Sequence, residues 1–227
     1  MLKSIEDYLK NIYELQEHFE RVTTNQLAEK MGITPASATG MIKKLAAMNL
    51  VKYRPYQGVE LTDAGRLMAL EVIRHHRLIE LFLAKALGVP WDRVHDEAEK
   101  WEHVLSEDIE ERIDRFLGSP RWDPHGAPIP DKAGNIEQRP RVRLCDITHP
   151  QDVRVLEVSD HDPELLRYLG KLNIYPQTDL TILSIEPFDK SMTVRHQQST
   201  HTLSALVTSY IWVLPEEHMK KGQANAV

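Results

Sequence analysis

The sequence predicts a mainly α-helical protein with a small β domain at its C-terminal end and a winged helix-turn-helix at its N-terminal end. Three observations carry this. Apolar residues recur at helical spacing as far as about residue 117, a glycine-punctuated helix pair is followed by a hairpin pattern, and short β-like runs begin beyond a proline-rich stretch. The first helix carries Ile5, Leu9, Ile12, Tyr13 and Leu15 on one face. A second starts near Thr23 or Thr24, turns Leu27, Ala28 and Met31 inward, and is broken by Gly32. Thr34 is the expected N-cap of the third, with Pro35 at its first position, where a fixed φ suits the helix. That helix buries Ala38, Met41, Ile42, Leu45 and Met48. Leu50–Tyr53 and Val59–Leu61 then flank a turn at Arg54–Gly58 and read as a hairpin.

Thr62 to Gly65 caps a long helix running to about Leu87, and Gly88-Val89-Pro90 interrupts it. Another helix is expected from about Asp92 into Leu105, and Ser106 caps one ending near Leu117. From Gly118 to Pro140 five prolines and further glycines rule out regular structure, so this stretch reads as a linker or irregular arm. Strands are expected at Val142–Leu144, Val153–Val158, Leu180–Ile185 and Met192–Val194, with a helix at Pro163–Leu172. Such short strands suggest a small barrel. The domains are placed at 1–73, 74–140 and 141–227, with Lys220–Val227 as a frayed end.

The chain's 227 residues, 41% apolar and 27% charged, suit two or three small soluble domains. No apolar run is long enough to span a bilayer and no signal peptide opens the chain. With the lone Cys145, read as a small buried hydrophobe, this points to the cytoplasm. The net charge of −6 opposes nucleic-acid binding by the whole chain. Between Arg21 and Arg66, however, seven basic residues face only Glu29, Glu60 and Asp63. This local excess suits a DNA-binding module. The outward face of the third helix offers Ser37, Thr39, Gly40, Lys43 and Lys44, small enough to sit in the major groove or long enough to reach phosphates and guanine edges. Arg54 and Tyr56 lie on the wing.

A second constellation is metal-like. His95, Glu99, Glu102 and His103 fall at i, i+4, i+7 and i+8, so they form one stripe on one helical face. Seen alone, that stripe reads as a solvated acidic face. His76 and Glu80, one turn apart on the preceding helix, shift the reading toward a metal. Asp7 could bring the first helix into the same site, or Ser4 to Asp7 could be a capping box; spacing leaves both open. A sulfur-free set of imidazoles and carboxylates suits Mn2+, with Fe2+ as the other physiological option and Zn2+, Co2+, Ni2+ or Cd2+ as substitutes in vitro. Trp101 is expected to pack between helices, and His75 and His125 have no supporting spacing.

Ile5-Glu6-Asp7-Tyr8-Leu9, Thr34-Pro35-Ala36-Ser37, Leu61 to Gly65, His76-Arg77-Leu78, His95 to His103 and Ser119 to Pro130 together resemble the diphtheria toxin repressor family of iron- and manganese-dependent regulators. The resemblance implies a winged helix, a helical dimerisation and metal-binding domain, and an SH3-like third domain. It implies a homodimer that binds palindromic double-stranded operators when metal-loaded, with no membrane and no small organic substrate as partner. It also implies one site from Asp7, Glu99, Glu102 and His103, and another from His76, Glu80, His95 and third-domain side chains, for which Asp160, His161 and Asp162 lie in range. Iron-responsive relatives have Met and Cys where this chain has Asp7 and Glu99, which points to manganese. Short manganese regulators have Glu where this chain has Lys10, and a cation there opposes a second nearby metal. The family's usual glycine after Pro176 is Gln177 here. Two other readings remain: a winged-helix regulator sensing a small organic ligand, and a metallohydrolase, which lacks a matching nucleophile or oxyanion arrangement.

Overall fold

The structure is a computed structural model that describes residues 2–216; the expected frayed end at Lys220–Val227 lies outside the described residues. These form two compact units, and the helices between residues 63 and 117 contribute to both.

The first unit comprises the residues through His76, Glu99–Arg112 and Pro130–Ile136. Helices α1 (Leu2–Gln16), α2 (Thr24–Lys30) and α3 (Pro35–Ala47) precede strands β1 (Val51–Arg54) and β2 (Gly58–Leu61), which pair antiparallel. Thr23 caps α2 through a capping box with Gln26. Gly32 turns the chain at φ 63, and Thr34 caps α3 by accepting from the Ser37 amide, with Pro35 as the first helical residue. Ile5, Leu9 and Ile12 of α1 bury against Leu27, Ile42, Leu45, Val51 and Val59, so α3 and the hairpin share one core with α1. The long helix α4 (Asp63–Leu87) opens under Thr62, whose hydroxyl accepts from the Gly65 amide. At Gly65 a Cβ would lie 2.0 Å from the Leu50 carbonyl oxygen, so only glycine allows this approach.

Ser4 lies inside α1, not at its cap, so the capping-box reading of Ser4 to Asp7 is not realised. A second correction concerns the metal stripe. Helix α5 (Val94–Trp101) stops short of Leu105, and Glu102 and His103 fall in the turn that follows, where the Val104 amide bonds to the Trp101 carbonyl. Helix α6 (Glu107–Leu117) then starts from Ser106, as its sequence predicts.

The second unit comprises Arg77–Ala98, Ile113–Ile129 and the described residues from Glu137. Its sheet runs β3 (Val142–Arg143), β8 (Ile211–Pro215), β4 (Asp152–Val158), β5 (Asp179–Ile185), β6 (Met192–His196) and β7 (Ser199–Leu203) in spatial order, antiparallel throughout. Bulges at Val155/Glu157 and Ile182/Ser184 bend β4 and β5. Helix α7 (Pro163–Lys171) packs Leu165, Leu166 and Leu169 onto the core of Val153, Val155, Leu180, Val194 and Val213, and a short helix α8 (Ala205–Thr208) precedes β8. Gln177 adopts φ 74, the left-handed conformation that explains a glycine at this turn, and its amide bonds to the Val155 carbonyl.

The proline-rich stretch has neither helix nor strand but is not a loose linker. Trp122 bridges Pro128, and the Asp123 carboxylate accepts from the amides of His125 (2.8 Å) and Ala127 (3.0 Å). Asp123 and His125 are both buried. Trp91, not Trp101, is the packing tryptophan: its ring lies 4.7 Å from Tyr175, whereas Trp101 is 40% exposed. Cys145 is only half-buried, in a short 3-10 turn.

Candidate metal centres and DNA-reading surface

In the first unit, α1 places Asp7 and Lys10 one turn apart, and the turn after α5 presents Glu102 and His103. Asp7 Oδ1 lies 2.7 Å from His103 Nε2, and Glu102 Oε1 lies 3.3 Å from the same nitrogen. Asp7, Glu102 and His103 each offer a ligand atom to one small volume, a donor set fit for a divalent cation. On the far side of the imidazole, Nδ1 lies 2.7 Å from Glu6 Oε2. An outer carboxylate in this place would orient His103 for ligation, and sequence reasoning missed it.

A second group, His76, Glu99 and Glu102, shares Glu102 with the first. His76 Nδ1 is 2.5 Å from Glu102 Oε2, and Lys10 Nζ reaches Glu99 Oε1 (2.7 Å) and Glu102 Oε2 (2.9 Å). Burial opposes charge on Glu102, but hydrogen bonds and charge from His76 and Lys10 prevail and lower its pKa to about 2. Burial likewise works against Lys10, and Glu102 and Glu99 overcome it to raise its pKa. At Asp7 burial dominates over His103 and raises the pKa.

The second unit holds a separate cluster around Glu80, which is fully buried on α4. His95 Nδ1 lies 3.4 Å from Glu80 Oε1 and 3.3 Å from Asp160 Oδ2. On the other side, His125 Nδ1 is 3.6 Å from Glu80 Oε2, and Asp123 completes a potential ligand group with these two. His125 Nε2 lies 2.8 Å from the Trp91 carbonyl oxygen and donates to it, which aims the buried, unbonded Nδ1 at the carboxylates. That nitrogen, grouped with the Glu80 and Asp123 carboxylates, fits a cation. Burial disfavours the imidazolium of His95, but Asp160 and Glu80 overcome it and raise its pKa to about 10; Glu80 and Asp123 likewise raise His125 to about 9. Burial, with Glu80 beside it, pushes Asp123 up to about 6. Asp160 falls below the usual range because the His95 hydrogen bond outweighs burial.

The sequence stripe therefore divides. His95 groups with Glu80 and Asp160, Glu102 and His103 group with Asp7, and Glu99 and Glu102 group with His76, a histidine that ligand-atom distances do not confine to that one group. Asp162 serves the fold instead, capping α7 by accepting from the amides of Glu164 and Leu165. His161 is exposed beside Asp160. Asp123 and His125 carry no helical periodicity, and only the tight Asp123–Ala127 turn brings them inward.

The DNA-reading elements carry the opposite charge. Helix α3 exposes Ser37, Gly40 and Lys43, with Thr39 and Lys44 half-buried at the margins, and the wing exposes Arg54 and Tyr56. A Cβ at Gly40 would meet nothing within 4 Å, so packing within the chain does not require this glycine.

Three family models match in order: "Iron dependent repressor, N-terminal DNA binding domain" over residues 1–59, "Iron dependent repressor, metal binding and dimerisation domain" over 62–131, and "FeoA domain" over 142–215. The iron-dependent repressor IdeR of Mycobacterium tuberculosis is 30% identical over 194 residues, covering 80% of this chain and 84% of the relative. The diphtheria toxin repressor of Corynebacterium efficiens is also 30% identical, covering 81% and 84%. A solved manganese-dependent transcriptional repressor in complex with manganese superposes with a TM-score of 0.86 at 39% identity, covering 92% of this chain and 99% of that one. No helix among the described residues is long and apolar enough to cross a membrane. With its DNA-binding, dimerisation and third domains matched in sequence order, this chain belongs to the diphtheria toxin repressor family of metal-dependent repressors.

Proposed function

We propose that this chain is a manganese-activated cytoplasmic repressor that binds palindromic operator DNA as a homodimer and controls metal-uptake or homeostasis genes. The observation that carries the reading is the sulfur-free Asp7–Glu102–His103 set, in which Asp7 belongs to the helix sharing a core with the DNA-reading elements. A bound divalent ion supplies positive charge that cancels repulsion between Asp7 and Glu102. Asp7 then holds α1 against the turn carrying Glu102 and His103, with Glu99 at its margin. This fixes α3 and the wing in the orientation that fits successive major grooves. Ser37, Thr39, Gly40, Lys43 and Lys44 meet the groove, and Arg54 and Tyr56 meet the backbone beside it.

Manganese is preferred over iron in this reading because every donor is an oxygen or an imidazole nitrogen. Glu80, His95, Asp123, His125 and Asp160 form a second, supporting site, beginning one turn after His76 on α4. Segments 1–73, 74–140 and 141–227 serve DNA reading, dimerisation with metal sensing, and support.

The test is retention of genomic DNA fragments by the purified protein in Mn2+ and in chelator, alongside Glu102→Ala. Manganese-dependent capture of a few fragments, weakened at least ~100-fold in the variant, is the expected result. Equal capture in both conditions would remove the metal switch and favour a sensor of an organic effector.

A further inference from the structure

Helix α5 ends at Trp101, so the main chain at Glu102 leaves the helical ladder just where it must present a ligand. Glu102 is 1% exposed, and a main-chain carbonyl removed from water needs a donor. Its partner is His75 of α4, whose Nδ1 lies 3.1 Å from the Glu102 carbonyl oxygen. A carbonyl only accepts, so Nδ1 carries the hydrogen and donates it. The next residue on α4, His76, meets the carboxylate of the same glutamate at 2.5 Å. Adjacent positions on a helix point about 100° apart, so α4 grips Glu102 from two directions, by its main chain and by its side chain.

The far edge of the His75 ring is also held. Its Nε2 is buried without a hydrogen bond and faces Glu110 Oε2 of α6 at 3.4 Å. Glu110 is buried, and its other oxygen accepts from Arg74 Nε at 2.5 Å. Arg74 in turn donates from Nη1 to the Pro130 carbonyl at 2.8 Å. The carboxylate is thereby pinned with one oxygen toward the imidazole, and its charge favours the ring orientation that turns Nδ1–H to the carbonyl. Arg74, His75 and Glu110 lie outside the ligand groups found among the described residues.

We propose that His75, oriented by Glu110, is a positioning residue that fixes the turn at Glu102 before any ion arrives. This turn carries Glu102 and His103, two of the three donors grouped with Asp7. With its main chain held by α4, both donors stand in place in the metal-free chain, and an ion does not have to order them on binding. Binding then acts on α1, through Asp7, and not on the turn.

The positioning role rests on the metal-switch reading, and the experiment separates the two. The readouts are hydrogen exchange of the amides at 102–105 in chelator, and the affinity of the Mn2+ equivalent that Asp7→Asn removes, titrated against a fluorescent chelator. The chains are the wild type, His75→Phe, His75→Asn, Glu110→Gln and Asp7→Asn. Phenylalanine keeps a ring and removes both nitrogens, whereas the asparagine amide restores a donor near Nδ1. His75→Phe is expected to speed exchange in the turn and to weaken that equivalent roughly 10-fold. His75→Asn should recover most of both. Glu110→Gln should lose part of both, since its amide keeps an acceptor for Arg74 but not the charge facing Nε2. Wild-type exchange and Mn2+ affinity in His75→Phe, with only a lower melting temperature, would make His75 a packing residue and overturn the proposal. Should His75→Phe fail to fold, the same wild-type values in Glu110→Gln would overturn it. Equal losses in His75→Phe and His75→Asn would do so too, because a donor to the carbonyl would then not be what matters. A wild-type Mn2+ content in Asp7→Asn would instead sink the metal switch, and the inference with it, whatever the turn exchange shows.

Discussion

The two acidic clusters solve the same electrostatic problem with different cations. In the first unit, carboxylates of α5 and the following turn are balanced by a lysine that keeps its proton across the physiological range. In the second, Glu80, Asp123 and Asp160 are balanced by two histidines whose protons can leave. A fixed charge stays when metal arrives, whereas an imidazolium must lose its proton before it can ligate. The first cluster therefore holds its balancing charge at any physiological acidity, whereas the charge of the second depends on acidity.

Ligand removal should expose this difference most strongly. Asp7→Asn is expected to abolish manganese-dependent operator binding, on the order of a 100-fold loss in gel-shift affinity. His125→Ala should leave the winged helix responsive but weaken the tightest Mn2+ equivalent by ~10–100-fold in a competition titration against a fluorescent chelator. Equal losses of DNA affinity in the two variants would break the distinction between a switching and a supporting site.

The protons come next. The His95 and His125 pKa values stand at about 10 and about 9, above an ordinary 6.5. A raised histidine stabilises the fold fully below about 6.5, and this contribution drains away as pH climbs through the folded values. The melting temperature of the metal-free chain should thus fall as pH rises from about 6.5 to about 10. Saturation with Mn2+ should flatten or reverse the slope, and binding should release protons in calorimetry run in buffers of different ionisation enthalpy. A pH-independent melting temperature in chelator would show that the imidazoles are already neutral.

Smaller effects probe single positions. Gly40→Ala should stabilise the isolated fold by up to ~1 kcal/mol through helix propensity, yet weaken operator binding several-fold, since its added methyl meets nothing until DNA approaches. Asp162→Ala should cost ~1 kcal/mol of stability through loss of the α7 cap and leave Mn2+ content unchanged. A lost ion in that variant would return Asp162 to the ligand set.

How much of this was legible follows from the physics of each signal. Most of the winged helix could be read from local signals, because Thr23, Gly32, Thr34, Pro35 and Thr62 act as caps and breakers, but Met48, expected inside, is the C-cap of α3 and 46% exposed. The β7 and β8 segments carry no such signal. Ser199–Leu203 is largely polar, and Ile211–Pro215 is too short for periodicity to separate strand from helix. Among the site residues, Asp7 and Glu102 were visible through spacing and resemblance. Asp123 and His125 were not, because a buried turn held by Asp123 has no period to detect. The stripe from His95 to His103 assumed a helix that stops at Trp101, so Glu102 and His103 reach their partners from a turn rather than from the helix face.

Lys10 has a consequence at the level of the gene. Lysine and glutamate codons differ by their first base alone, so one transition can exchange a built-in ammonium for an additional ligand. That single step would set a further carboxylate against Glu99 and Glu102 and remove the charge that balances them inside the protein.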